Sequence, residues 1–201
     1  MAVKLSKGSV RISGNSHDWK TIQLGEFQEC LNEHLDADPL TRFIEGVAKS
    51  YVRRKFPQDE THFLTRIICA WGGLRGRNGM LIYEGNAPDN FGKLTRALRA
   101  ARSESIRGNY KAAMTALSDI KGTGISFRSK FLKFLCPDHA VVLDSKISKE
   151  LRYSRSAAGY ESFVRDCASI RDHLNNSNIS RDGNAPWRVS DVEMAIFIKV
   201  K

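Results

Sequence analysis

From Glu26 onward, apolar residues return every three or four positions, and prolines and glycines cut the pattern into helix-length pieces. Phe27, Leu31 and Leu35 form one stripe. Pro39 opens a second segment, where Leu40, Phe43, Ile44, Val47 and Tyr51 share a face until Pro57 ends it. Asp59 is placed to cap a third, which carries Phe63, Leu64, Ile67, Ile68 and Trp71 and breaks at Gly72-Gly73. Further helices are expected over 88–102, 109–117, 145–153, 158–175 and 186–198, with a polar loop over 175–184. Only the first 25 residues differ: Val10-Arg11-Ile12-Ser13 and Thr21-Ile22-Gln23-Leu24 flank a polar turn and read as a hairpin. The expected fold class is mainly α with a small N-terminal β element: residues 1–25 an extension, residues 26–201 a helical domain. No repeat of 20–50 residues is present.

Composition narrows the partners. At 201 residues and 41% hydrophobic, the chain can bury a core of its own. No apolar run reaches the length of a membrane helix, and residues 1–20 hold no apolar signal core, so a cytoplasmic location without membrane association is expected. The formal net charge of +10 suits a polyanion, with DNA or RNA foremost. Cys30, Cys69, Cys136 and Cys167 form no C-x-x-C pair, and the apolar neighbours of Cys69 and Cys136 predict buried thiols. The five histidines are scattered. No zinc or iron–sulfur signature appears, and no cofactor is expected.

One segment points to chemistry. Gly122-Thr123-Gly124 lies between two helical patterns, where glycines permit torsions that other residues resist and leave backbone N–H groups bare for a phosphate. Lys121, Arg128 and Lys130 add charge around it. An apolar face follows (Phe127, Phe131, Leu132, Phe134, Leu135), then Cys136-Pro137-Asp138 and a short extended run ending Val141-Val142-Leu143-Asp144. Each part has a plain structural reading: an αα-turn with glycine caps, and an Asp that caps the next helix.

Together, Gly122-Thr123-Gly124, the helix Phe127 to Leu135 and Leu143-Asp144-Ser145-Lys146-Ile147 resemble the helix-hairpin-helix DNA glycosylase superfamily. The resemblance covers about residues 112–151, extends to 63–77 and 187–197, and is absent from the first 25. It implies a two-lobed helical fold that binds double-stranded DNA as a monomer, flips a nucleotide out and breaks its N-glycosidic bond. Asp144 would be the catalytic carboxylate, stabilising the oxocarbenium and orienting water. Lys121, Gly122, Thr123, Gly124 and Arg128 would hold the strand, with a monovalent cation at the hairpin carbonyls. Where bifunctional members carry a nucleophilic lysine, this chain has Ser126, which implies hydrolytic base removal without efficient strand cleavage. Lys130, one turn on, reads as a solvated or phosphate-facing lysine that could also reach the pocket.

The remaining candidates lie elsewhere. Trp71 or Leu74 could fill the space left by the flipped base, and Arg75 and Arg77 could contact the strand. Trp187 could line the pocket, with Asp191 and Glu193 orienting it; their plainer reading is a core indole and N-terminal helix charge. Oxidised guanine is the expected target. A bulky phage-modified cytosine, such as a glucosylated hydroxymethylcytosine, would instead imply antiphage defence. The rival from another class is a non-catalytic helix-hairpin-helix DNA-binding module. A nuclease finds no clustered acids at metal-binding spacing.

Overall fold

The N-terminal residues pair as an antiparallel sheet in the order β1 (Val3–Leu5), β2 (Ser9–Ser13), β3 (Trp19–Gln23). Val10 stands opposite Ile22 and Arg11 opposite Thr21. The two-residue period sends Val10, Ile12 and Ile22 into the core and leaves Arg11 and Thr21 outside. The β2–β3 hairpin was expected; β1 was not, because Lys4 and Leu5 are exposed and give the strand no buried alternation. The computed structural model describes residues 3–13, 19–73, 91–181 and 184–200.

Nine helices follow among the described residues: α1 (Glu26–Ala37), α2 (Leu40–Arg53), α3 (Gln58–Trp71), α4 (Phe91–Ile106), α5 (Tyr110–Ala116), α6 (Ile125–Leu135), α7 (Ser145–Leu151), α8 (Ala157–Asn176) and α9 (Val189–Val200). Pro39 and Pro57 precede α2 and α3, where a missing N–H costs nothing. Ser156 caps α8 by accepting the Gly159 N–H at 3.1 Å. A Cβ at Gly159 would fall 2.0 Å from the Ser154 carbonyl oxygen, so that turn admits only glycine.

The helices form two groups. α9 packs most extensively on α1 and also meets α7, α8 and β3. It is buried on nearly every side from Val189 to Ile196, as expected of a helix at the centre of a lobe. In the other lobe α2, α3, α4 and α5 surround α6, and α8 contacts both groups. The interior of α6 includes Phe131, Leu132, Phe134 and Leu135. All four cysteines are buried free thiols, and burial pushes Cys69 and Cys136 up to about 11. No helix among the described residues is long and apolar enough to cross a membrane.

Candidate functional site

The turn between α5 and α6 is built from its own backbone. The Ile120 N–H donates to the Leu117 carbonyl at 3.2 Å, and the Thr123 N–H and hydroxyl both donate to the Ile120 carbonyl, at 3.3 and 2.6 Å. Gly122 takes φ +79°, a torsion that favours glycine. Gly124 heads α6 with no side-chain cap, and a Cβ there would meet nothing within 4 Å. Packing therefore does not demand a glycine at this point, and the space in front of the backbone is open. The first N–H groups of α6 have no intrahelical acceptor and lie beside it, the arrangement that receives an anion.

The side chains of the turn divide into two sets. Lys121, Gly122 and Gly124 are exposed. Thr123 is buried, and Arg128 turns back on the loop, with Nε 3.4 Å from the Thr123 hydroxyl and Nη2 3.5 Å from the Ser118 carbonyl. Thr123 and Arg128 thus brace the turn. The same bonds bear on the cation implied by the resemblance. The Ile120 and Leu117 carbonyls are already engaged, and a guanidinium occupies the approach to Ser118. A cation at this turn would compete with the Arg128 guanidinium for the Ser118 carbonyl.

Asp144 is fixed relative to this turn by α6 itself. The Ser129 hydroxyl accepts the Leu143 N–H at 3.1 Å and donates to the Ser126 carbonyl at 2.9 Å, tying the buried run Val141-Val142-Leu143 to the first turns of α6. Asp144 then caps α7, its Oδ1 accepting the Ile147 N–H at 2.9 Å. The capping role is real and uses one oxygen. The half-buried carboxylate otherwise stays beside the head of α6.

Beneath Asp144 lies a group of buried charges. Lys130 is not solvated, contrary to expectation: it is only 9% exposed, with Nζ 3.3 Å from the Ser126 hydroxyl and 4.4 Å from the centre of the Phe127 ring. Burial lowers its pKa, while Asp144 and Glu193 partly oppose that loss. Lys133, one turn further along α6, is 1% exposed, its ammonium 4.9 Å from the Trp71 ring centre. Glu193 on α9 is 3% exposed rather than a solvated charge at a helix start. Burial raises its carboxyl to about 7; Asp144 adds to the rise, and Lys133, a backbone bond from Val142 and Lys130 oppose it. Sequence reasoning missed Lys133 and the depth of Glu193. The signal was present, since each sits inside an unbroken apolar run, Phe131-Leu132-Lys133-Phe134-Leu135 and Val192-Glu193-Met194-Ala195-Ile196.

Trp71 and Trp187 are both held by ring packing and an indole hydrogen bond. Trp71 meets Phe134 edge-on at 4.9 Å, donates its N–H to Asp38, and is held in the α3–α6 contact. Gly72, next to it, admits no Cβ without moving Phe127, 2.7 Å away, so α3 ends flush against α6. Trp187 does not line a pocket. It is 2% exposed, donates its indole N–H to the Ile179 carbonyl at 2.8 Å, and meets Phe27 edge-on. Asp191 is buried in ion pairs with Arg181 and Arg188. Leu74, Arg75 and Arg77 lie outside the described residues. A cavity of about 570 Å³ opens at the opposite end of α6, lined among others by Arg42, Lys49, Arg102, Asp138 and Arg188; Ser126, Lys130 and Asp144 do not line it.

A turn with open amides, a carboxylate locked beside it and buried amines below form a site equipped for charge chemistry on a phosphate-bearing ligand. Comparisons with curated proteins and with solved structures return no match. The profile of a family described as "Putative 8-oxoguanine DNA glycosylase OGG-like protein" matches residues 31–197, which include both lobes, the turn and Asp144. The chain belongs to this OGG-like DNA glycosylase family.

Proposed function

We propose that this protein excises oxidised guanine from double-stranded DNA by hydrolysing the N-glycosidic bond, without efficient strand cleavage. The observation that carries the reading is the bond between Ser129 and Leu143, which fixes the Asp144 carboxylate beside the anion-receiving start of α6. The exposed residues Lys121, Gly122 and Gly124 hold the phosphate of the flipped nucleotide, while Thr123 and Arg128 keep the turn in shape. Asp144 stabilises the positive charge that grows on the sugar as the base departs, and orients the attacking water. Ser126 offers a hydroxyl where an amine would be needed to capture the sugar, which supports hydrolysis.

Asp144→Asn keeps the shape and the N-cap acceptor but removes the charge. It is expected to bind duplex DNA like the wild type and to lose about 10²–10⁴-fold in excision rate. Mass spectrometry of bases released from duplexes containing 8-oxoguanine, and from glucosylated phage DNA, identifies the target. Release from the glucosylated substrate alone would redirect the reading to antiphage defence. Near-normal release by Asp144→Asn would sink the catalytic assignment. Binding with no release from any substrate would favour a DNA-binding module. Borohydride trapping of a protein–DNA adduct would overturn the monofunctional reading.

A further inference from the structure

The Lys130 ammonium is clamped in place. Its stem lies against the end of α3, where a Cβ on Gly72 would fall 3.0 Å from Lys130 Cδ and 2.7 Å from the Phe127 ring. The amine sits 4.4 Å from the centre of that ring, and its one hydrogen-bond acceptor among the described residues is the Ser126 hydroxyl, at 3.3 Å. Packing here does not call for a charge: a methionine would fill a similar volume without the cost of desolvating an ammonium.

An ammonium only donates, so the Ser126 oxygen is the acceptor of this bond and its own proton is turned elsewhere. Among the described residues no group accepts that proton. A bond from a cation polarises the hydroxyl and makes it a stronger donor. Ser126 is half-buried in the first turn of α6, so its hydroxyl is open to a ligand, while the lysine behind it is buried. Ser129 ties this hydroxyl to the carboxylate: it donates to the Ser126 carbonyl at 2.9 Å and accepts the N–H of Leu143, the residue before Asp144, at 3.1 Å. A polarised O–H and an acid are thus held to each other through a single side chain.

We propose that Ser126 is the catalytic acid of base excision, donating its proton to the departing base, and that Lys130 is the positioning residue that polarises the hydroxyl and restores its proton. This rests on the glycosylase reading of the site. The N-glycosidic bond breaks and its electron pair leaves with the base. The Ser126 proton passes to the base, which departs neutral, and a Lys130 proton passes to the Ser126 oxygen, leaving a neutral amine. Asp144 stabilises the sugar cation; water adds to it, and the proton that this water loses recharges Lys130 through solvent. One water is consumed, and a free base and an abasic sugar are formed. Burial lowers the Lys130 pKa, so the ammonium parts with its proton more readily than a solvated lysine. The acid thus serves the base and the carboxylate the sugar.

The test is single-turnover excision from an 8-oxoguanine duplex in water and in heavy water, read beside duplex binding and thermal unfolding. Ser126→Ala is expected to fold and bind DNA like the wild type, to excise about 10²-fold more slowly, and to lose the solvent isotope effect of the wild type. Ser126→Thr keeps a hydroxyl and is expected to recover most of the lost rate. Lys130→Met is expected to lose rate to a similar extent, and the double variant to be no slower than the slower single, because the two side chains act as a unit. If Lys130→Met does not fold, Ser126→Ala and Ser126→Thr decide the matter. Near-normal excision by Ser126→Ala, an isotope effect that survives in it, or losses that multiply in the double variant overturn the proposal and leave the glycosylase reading standing. A borohydride-trapped adduct that Lys130→Met abolishes makes the amine a nucleophile and overturns it too. A wild type that releases no base overturns the glycosylase reading, and the proposal with it.

Discussion

The two ends of α6 look alike in charge and differ in what the charge is for. At the C-terminal end, about 16 Å from the turn by helix rise, the cavity of about 570 Å³ gathers Arg42, Lys49, Arg102 and Arg188. Much of that charge is already spent within the protein. Arg188 holds Glu45 and Asp191, and Arg102 donates to the Leu135 carbonyl at 3.0 Å. At the N-terminal end, the backbone amides are left open and the carboxylate beside them is tied down by one cap bond. The cavity thus lies at the end that consumes its own charges, and the proposed chemistry at the end that keeps them available.

The largest expected effect falls on the cavity end. Burial works against the Arg188 charge, yet its bonds to Asp191 and Glu45 outweigh that and leave its pKa above the ordinary value. Arg188→Ala would leave Asp191, 1% exposed, with Arg181 as its remaining cationic partner. We expect a loss of about 3 kcal/mol in urea unfolding, with excision per folded molecule unchanged. A variant of normal stability and lost excision would make the cavity, not the turn, the functional end.

The next effect falls on the turn. Gly124 has φ −92° and ψ −177°, extended backbone that alanine adopts freely, and open space where a Cβ would go. Gly124→Ala should leave unfolding unchanged and weaken duplex binding about tenfold, because the added methyl would stand where the proposed site brings a phosphate oxygen to the amides. Equal binding by the two proteins would mean that the strand passes elsewhere.

The split between the ends explains what the sequence revealed. Helices bounded by Pro39, Pro57 and Gly72 were legible because each boundary is local chemistry, and so was the turn, where Gly122 acts through its own torsion. Asp144 was singled out by its spacing from Gly124, and its N-cap position was legible from the same residues. Lys130 was not, because a lysine beside Arg128 and Ser129 reads as solvated until its neighbours are known, and Lys133 was missed although its apolar run carried the signal. Their burial comes from α3, which ends at Gly72 against Phe127 and the Lys130 stem and lays the Trp71 ring against the Lys133 ammonium. Trp187 was ambiguous for the same reason: an indole at a helix start fits a pocket or a core, and the Ile179 carbonyl decides between them.

The smallest effect gives the sharpest contrast, because it makes the same substitution at the other end. Gly46 lies within α2 in the cavity wall, and a Cβ there would also meet nothing within 4 Å. In a helix interior, glycine costs about 0.5–1 kcal/mol relative to alanine through the freedom it loses on folding. Gly46→Ala should therefore raise stability by about that amount in urea unfolding, and leave duplex binding and excision untouched. Gly124 is at a helix start rather than inside one, so the same methyl brings it no such gain. Two glycines with equal room thus part company: one is replaceable with a gain in stability, the other with a loss of binding. If Gly46→Ala weakened duplex binding as Gly124→Ala does, open space at a glycine would not separate a ligand-facing backbone from an incidental one. The functional end of α6 would then have to be assigned on Asp144 alone.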